Sequence, residues 1–298
     1  MTQRPGTGYA RATALVLLMI SILASARLAT APAGTTTAPP TPSFAITNSP
    51  EVTPSAGPTG AFPDAQSTGS KDGVVLTPRP GGIVDTPNVI IQNALVEGQL
   101  DVRASNVTIR NSKIVSAGLY GIKIDDKALN TVIEDVDVIG QQGYIGVAGA
   151  AYRATRLDVR GFEDGFLCGS NSTIEYTYVH GLAVGPTTHN DAIAIESGSG
   201  MVIRGNNLDW DRQQTSALNI ATDYRGGTIS DVTVEGNRFA GGTYSVYVRR
   251  SGGGEITRVV VRNNTWVRNS AVFGPYSIDT QITEWSANHY SDGAPVPL

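Results

Sequence analysis

The sequence predicts an all-β solenoid, a right-handed parallel β-helix, over residues 61–298. Three observations lead to this fold class: a β-branched triplet next to polar turn residues recurs along the region, most copies start 18 to 30 residues apart, and helix-forming periodicity is missing. This spacing leaves room for one coil of short strands, but not for a strand and a crossover helix. The copies start at Asn88, Asn106, Asn130, Ser172, Met201, Asp231 and Arg258.

Each coil also contains a second alternating strand. Its aliphatic positions face one side, which predicts a stacked core that includes Cys168, and its other positions face outward. The predicted outward residues are Lys123, Glu196, Asn219, Tyr247 and Arg249.

After the first strand, short polar residues recur at one offset, where they can adopt left-handed backbone and hydrogen-bond along the stack. They are Ser112, Asn206, Asn237, Asn264 and Asn288, and a structural role is predicted for them.

The first 60 residues are predicted to lie outside the fold. Arg4 and Arg11 precede an apolar run from Ala12 to Leu23, and Ala24-Ser25-Ala26 has the small residues of a signal-peptidase site. We therefore predict a signal peptide over residues 1–26. A retained anchor is the alternative, although the run is short against the about 20 residues of a spanning helix.

Residues 27–60 consist largely of Thr, Pro, Ala, Ser and Gly, which predicts a disordered linker. The protein is therefore expected to be secreted or tethered at the cell surface. The net charge of −4 and the scattered basic residues exclude a nucleic-acid partner. A single cysteine, Cys168, excludes an intrachain disulfide. After cleavage of the signal peptide no membrane partner is expected, and the polar outward positions predict a monomer.

Four segments carry a resemblance to a known superfamily. They are Phe62-Pro63-Asp64-Ala65, the stretch from Cys168 to Ile174, the stretch from Thr188 to Ile193, and Phe273-Gly274-Pro275. The chain resembles the β-helix of the pectate lyase and polygalacturonase superfamily, and more narrowly a group of secreted actinobacterial β-helix proteins. The resemblance implies the fold, whereas such folds carry lyases, hydrolases, epimerases, phage depolymerases and adhesins, so function has to be argued from the site.

The polygalacturonase motifs are matched at one position. His189-Asn190-Asp191-Ala192 is similar to the Asn-Thr-Asp-Gly segment of that family at its acidic residue only, so the resemblance carries over Asp191 alone. The family's paired aspartates on the next coil, its Gly-His-Gly segment and its Arg-x-Lys segment are not found. The acidic calcium ligands and arginine motif of pectate lyases are missing as well. Neither activity is therefore expected in its familiar form.

Two adjacent coils are enlarged between the first and second strands, at Val179–Asn190 and Trp210–Ser216. Loops on a rigid scaffold are common places for binding sites, and neighbouring loops would form one wall of a groove. Trp210 is a candidate platform for stacking a sugar ring. The candidate substrate-binding residues are His180, Trp210, Asp211, Arg212, Glu196, Tyr247, Arg249 and Lys123.

The register of the second strands brings two carboxyl groups together. Asp164-Gly165-Phe166-Leu167-Cys168 aligns with Asp191-Ala192-Ile193-Ala194-Ile195 on the next coil, and stacked strands lie about 4.8 Å apart. Repulsion between the two carboxylates would separate their pKa values and provide an acid and a base. Glu163 could replace either of them. In the alternative interpretation, Asp164 and Asp191 cap a corner by accepting backbone N–H bonds.

The predicted function is acid and base hydrolysis of an extracellular polysaccharide, with Asp164, Asp191, His189 and Glu163 as candidate catalytic residues. Two alternatives stay open: a lyase that acts on a uronate-containing glycan with His189 as base, and a glycan-binding or surface protein without catalysis. No cofactor is expected, and calcium is left open. His180, His189 and Asp191 lack the close spacing of a metal site, so no metal ligands are assigned.

Overall fold

The computed structural model describes residues 61–209, 215–222 and 227–298. The predicted signal peptide and linker, residues 1–60, lie outside the described residues. Within the described ranges the chain forms strands and no helix, so none of these residues forms a helix that could cross a bilayer. The strands are β1 (Thr77–Val84), β2 (Ile90–Gln92), β3 (Ala94–Val102), β4 (Thr108–Ser116), β5 (Tyr120–Ile124), β6 (Thr131–Gly149), β7 (Tyr152–Thr155), β8 (Asp158–Cys168), β9 (Thr173–Glu175), β10 (Tyr178–His180), β11 (Asp191–Ile195), β12 (Gly198–Arg204), β13 (Asn207–Asp209), β14 (Ser216–Ala221), β15 (Ile229–Glu235), β16 (Arg238–Ala240), β17 (Tyr244–Arg249), β18 (Ile256–Arg262), β19 (Thr265–Trp266), β20 (Gly274–Ile278), β21 (Glu284–Ser286) and β22 (His289–Tyr290).

All pairings between the strands named above are parallel, and they form three faces of a coiled chain. Sheet 1 contains β2, β7, β9, β12, β15, β18 and β21 with the first residues of β4 and β6. Sheet 2 contains β10, β13, β16, β19 and β22 with parts of β1, β3, β4, β6 and β8. Sheet 3 contains β5, β11, β14, β17 and β20 with the last residues of β1, β3, β6 and β8. The predicted parallel β-helix is confirmed.

The interior is filled by aliphatic and aromatic side chains that stack from coil to coil. On sheet 3 one inward column consists of Leu100, Ile122, Val147, Phe166, Ile193, Leu218 and Val246, all of them buried. Cys168 lies in this core as predicted. Burial raises the pKa of its thiol to about 12, so the thiol remains protonated and unreactive.

The structure adds one sheet and one coil to the sequence prediction. The strands of sheet 2 that lie in later coils, such as β10 and β19, have two or three residues each, which is too short to show alternation. Between the copies at Asn130 and Ser172, β7 supplies a further coil whose sequence, Tyr152-Arg153-Ala154-Thr155, lacks a β-branched triplet.

The turn from sheet 1 to sheet 2 is held by a buried ladder of asparagines. Asn237 Oδ1 accepts the N–H of Asn206 at 2.9 Å, and Asn237 Nδ2 donates to the carbonyl of Ile203 at 2.9 Å and to Asn264 Oδ1 at 3.0 Å. Asn206, Asn264 and Asn288 repeat the pattern. The predicted structural role is confirmed, whereas the prediction of left-handed backbone at these residues is wrong. Positive φ occurs one residue earlier, at Asn111, Gly205, Gly236, Asn263 and Ala287.

Replacing Asn237 by alanine is expected to lower the free energy of unfolding by about 2 to 4 kcal/mol. The substitution leaves the N–H of Asn206 and the carbonyl of Ile203 buried without their partners. The matched control is Asn106→Gly in the exposed outer ladder, where Asn106 bonds Asn88 and Asn130 at 3.1 Å each and where glycine accepts the positive φ of this position. Water can replace both bonds, so a loss of about 1 kcal/mol or less is expected. Equal losses in urea unfolding would contradict the assignment.

The N-terminal segment packs on the outside of the β-helix, and the C-terminal segment packs at its last coil. Residues 61–71 precede the first strand and lie along sheet 2, where the carbonyl of Pro63 accepts a bond from Asn207 at 2.8 Å and Ser70 Oγ donates to Asp137 at 2.6 Å. At the other end, Trp266 donates its indole N–H to Pro275 at 2.9 Å, and Trp285 donates to Val296 at 2.8 Å. Aromatic rings thus pack against the core at this end of the coil.

Candidate functional site

The two predicted acids lie next to each other on the outer surface of sheet 3. Phe166 pairs with Ile193 and Leu167 with Ala194, which is the predicted register of β8 and β11. Each acid precedes a small residue at a corner of the coil. At Gly165 a Cβ atom would lie 2.6 Å from a methyl group of Val179, so a side chain does not fit there. The corner holds Asp164 and Asp191 outside the core.

The two carboxyl groups have different hydrogen-bond partners. Asp164 Oδ1 accepts the backbone N–H of Asp191 at 2.8 Å. Asp191 Oδ1 accepts the hydroxyl of Ser216 at 2.5 Å, and its Oδ2 accepts the amide of Asn219 at 2.9 Å. Two side-chain donors therefore stabilise a negative charge on Asp191. Asp191 is also only 5% exposed.

The surroundings of Asp164 favour its protonated form. Burial is the largest cause and the negative charge of Asp191 the second, and together they raise the pKa of Asp164 to about 8. The charges of Glu163 and Glu196 act in the same direction, whereas the N–H of Asp191 opposes them. At neutral pH the pair therefore combines a protonated Asp164 with a charged Asp191, the arrangement that an acid and a base require.

Glu163 and Asn190 attach the segment 181–190 to β8. Glu163 Oε1 accepts the backbone N–H of His189 at 3.0 Å. Asn190 Nδ2 donates to the carbonyl of Glu163 at 2.6 Å and to that of Ala183 at 2.7 Å. His189 itself is exposed beside the pair. Asn190 is fully buried, and its Oδ1 has no hydrogen-bond partner among the described residues.

A comparison with protein families matches residues 103–283 to the right-handed β-helix region family. The match covers more than half of the 298 residues and includes both acids. The chain belongs to the right-handed β-helix family. No curated protein and no solved structure matches the chain.

His180 lies on sheet 2, whereas the two acids lie on sheet 3. The predicted loop Val179–Asn190 starts later than expected, because Val179 and His180 belong to β10 in sheet 2. His180 Nε2 contacts Asp158 Oδ1 at 3.1 Å, and its ring stacks on Tyr178 with centroids 4.1 Å apart. Its observed partners thus lie on sheet 2 and not among the carboxyl groups of sheet 3. Among the described residues, no three or more His, Cys, Asp and Glu side chains are grouped to hold a metal ion.

The other candidate binding residues lie at several points of the right-handed β-helix. Glu196 directly follows β11, close enough for its charge to act on Asp164. Arg249 is exposed at the end of β17, with its guanidinium 3.7 Å from Asp279. Lys123 lies three coils before Asp191, and its ammonium is 5.7 Å from the ring centre of Tyr120. Trp210, Asp211 and Arg212 lie outside the described residues.

Tyr247 belongs to an aromatic cluster that the sequence pattern does not predict. Its ring lies 5.5 Å from that of Tyr244, which lies 5.6 Å from Phe273. Asn219, which donates a hydrogen bond to Asp191, pairs in register with Tyr247 on the next coil. Ser216 could have been found from the register alone, because it pairs with Asp191, whereas the bond of Asn219 to Asp191 and the contact of Phe273 depend on conformations that no repeat predicts.

Two open concavities of the right-handed β-helix lie away from the acids. One, of about 640 Å³, is lined by residues such as Arg250, Glu255 and Asp279 on the connections from sheet 3 to sheet 1. The other, of about 200 Å³, lies behind Phe273 and includes Arg268 and Tyr290. The hydrogen bonds and the raised pKa of Asp164 identify Asp164 and Asp191 as the candidate site. Neither concavity is lined by these two residues.

Proposed function

We propose that this right-handed β-helix protein hydrolyses an extracellular polysaccharide, with Asp164 as general acid and Asp191 as general base. The observation that carries the proposal is the unequal pair on adjacent coils. Asp191 receives two side-chain hydrogen bonds, whereas burial and the charge of Asp191 favour the protonated form of Asp164. Two carboxyl groups in different protonation states are what glycoside hydrolysis requires.

The proposed reaction uses each carboxyl group once. Asp164 donates its proton to the glycosidic oxygen as the bond between that oxygen and the anomeric carbon breaks. A water molecule adds to the anomeric carbon and transfers a proton to Asp191. Asp191 then carries the proton that Asp164 has lost, and exchange with solvent restores both groups. Ser216 and Asn219 keep Asp191 oriented throughout.

A second candidate function is glycan binding without cleavage. It is favoured by the 5% exposure of Asp191 and by the bonds that occupy both of its carboxylate oxygens, since these features also suit a structural role at the corner. A uronate lyase has less support. Such a lyase needs a cation to neutralise the uronate carboxylate, but Arg249 is paired with Asp279, and Arg212 lies outside the described residues.

The test is a screen of the purified protein against plant, algal and bacterial polysaccharides. Reducing ends and the ultraviolet absorbance of unsaturated uronates are both recorded. We expect new reducing ends without that absorbance on at least one substrate, and loss of this signal in Asp191→Asn.

The control variant for this screen is Asp126→Asn, which changes an exposed carboxylate on the loop after β5 and should leave the signal intact. Unsaturated products would show that the protein is a lyase and not a hydrolase. Binding without cleavage would support the second candidate.

A further inference from the structure

Asn190 is a fully buried residue at the corner that carries the two acids, and the proposed reaction does not use it. Its Nδ2 donates to the carbonyl of Glu163 at 2.6 Å and to the carbonyl of Ala183 at 2.7 Å. Its Oδ1 is buried and has no hydrogen-bond partner among the described residues. An unsatisfied buried oxygen lowers stability, so this amide contributes through its two donated bonds.

The bond from Asn190 to Glu163 joins the residues that directly precede the two acids. Glu163 precedes Asp164 on one coil, and Asn190 precedes Asp191 on the next. A second bond joins the same two dipeptides, since the backbone N–H of Asp191 donates to Asp164 Oδ1 at 2.8 Å. The parallel pairing of β8 with β11 starts only two residues after each acid. At the corner itself, these two bonds therefore set the relative position of the acids.

The same amide closes the segment 181–190 beside the acids. Its bond to Ala183 joins the two ends of this segment. Both ends are also bonded to residues 162–163, through the N–H of Ala183 at 2.6 Å and the N–H of His189 at 3.0 Å. The closed segment thus lies against the two residues before Asp164, a group whose burial is the largest cause of its raised pKa.

We propose that Asn190 is a positioning residue, which holds Asp164 against Asp191 and keeps the segment 181–190 closed at this corner. The inference rests on the proposed function, because the positioning matters to the reaction only if the two carboxyl groups act as acid and base. It adds a residue that acts through the backbone of its neighbours. A displacement of a catalytic group by about 1 Å can lower a rate about 10²-fold, so two such bonds are enough to determine the rate.

The inference is tested by a carboxyl NMR titration of the purified parent protein, Asn190→Ala and Asn190→Ser, with aspartate labelled at the carboxyl carbon. Alanine removes both donated bonds, whereas serine is a milder change whose hydroxyl donates at most one. Both variants should open the corner to water. We expect the pKa of Asp164 to fall from about 8 towards its ordinary value of 3.8, and to fall further with alanine.

A kinetic measurement on a cleaved polysaccharide separates positioning from binding. Asn190→Ala should lower kcat about 10- to 100-fold and change KM by less than about twofold, because the amide acts on the geometry of the acids and not on the substrate.

The matched control for both measurements is Asn207→Ala. Asn207 is also a buried asparagine whose Nδ2 bonds a crossing segment, at 2.8 Å from the carbonyl of Pro63, but it lies on sheet 2. This variant should leave the pKa of Asp164 and kcat unchanged. An unchanged pKa in the Asn190 variants, or an equal fall in Asn207→Ala, would overturn the inference and leave the acid and base assignment standing. A pKa near 4 in the parent protein would overturn that assignment, and this inference with it.

Discussion

Replacing Asp164 by asparagine should make the folded protein more stable than the parent at pH 9, by about 3 to 5 kcal/mol. The folded protein raises the pKa of Asp164 from 3.8 to about 8, through burial first and the charge of Asp191 second. Between these values the folded state retains a proton that the unfolded state releases, so stability falls as pH rises from about 4 to about 8. Asparagine carries no such proton and can still accept the N–H of Asp191.

The advantage of Asp164→Asn should disappear towards pH 4, where the aspartic acid is neutral in both states. The measurement is thermal unfolding of both proteins from pH 4 to pH 9, with a difference in melting temperature on the order of 10 °C expected at the alkaline end. Titrating groups distant from Asp164 are common to both proteins and cancel in the difference, whereas Asp191, Glu163 and Glu196 interact with Asp164 and contribute to it.

Asp231→Asn is a control of opposite sign for this experiment. Arg258 and Ser199 bond the Asp231 carboxylate and lower its pKa. Its stabilising effect is present above the ordinary pKa and is lost as pH falls through the lowered pKa. This variant should therefore be less stable than the parent throughout pH 4 to pH 9 and should recover only in stronger acid, which an added measurement below pH 4 checks. If Asp164→Asn behaved in the same way, Asp164 would be an ordinary charged carboxylate.

The second large effect concerns the rate of hydrolysis once a substrate is known. Asp191→Asn should reduce kcat by about 10³-fold on any substrate, because the base is lost in every case. Asp164→Asn should reduce kcat by a similar factor on the polysaccharide but only slightly on an aryl glycoside of the same sugar. A phenolate leaves without protonation, so the acid is then dispensable.

Equal losses on both substrates for Asp164→Asn would contradict the role of acid and indicate a structural role. The ratio of the two losses is the informative quantity, since a folding defect lowers both rates together.

Ser216→Ala provides a milder case: it removes one donor to Asp191 and leaves Asn219 in place. It should raise the pKa of the base and move the acidic limb of the pH profile upward.

Much of the fold was predictable because a β-helix repeats its chemistry in every coil. The β-branched triplets, the alternation of sheet 3 and the asparagine ladder all appear at regular offsets, and the register of Asp164 with Asp191 followed from them. Sheet 2 was not predicted, since strands such as β10 are too short to alternate. For the same reason His180, the last residue of β10, was predicted to lie on a loop.

The details of the site were less predictable, because they depend on side-chain conformation and burial. That Asn219 bonds Asp191 diagonally, one coil away, does not follow from strand register. Nor does the register show which acid retains its proton, since that depends on the burial of Asp164 and on the donors that Asp191 receives. The contact of Phe273 with Tyr244 is set by a connection outside the repeat.

The most direct test of the central claim is a carboxyl NMR titration of Asp164 with aspartate labelled at the carboxyl carbon. Asp164→Asn identifies the resonance, and Asp191→Asn removes the neighbouring charge. We predict a pKa of about 8 for Asp164 in the parent protein and a clearly lower value in Asp191→Asn. A pKa near 4 in both proteins would contradict the division of the pair into an acid and a base.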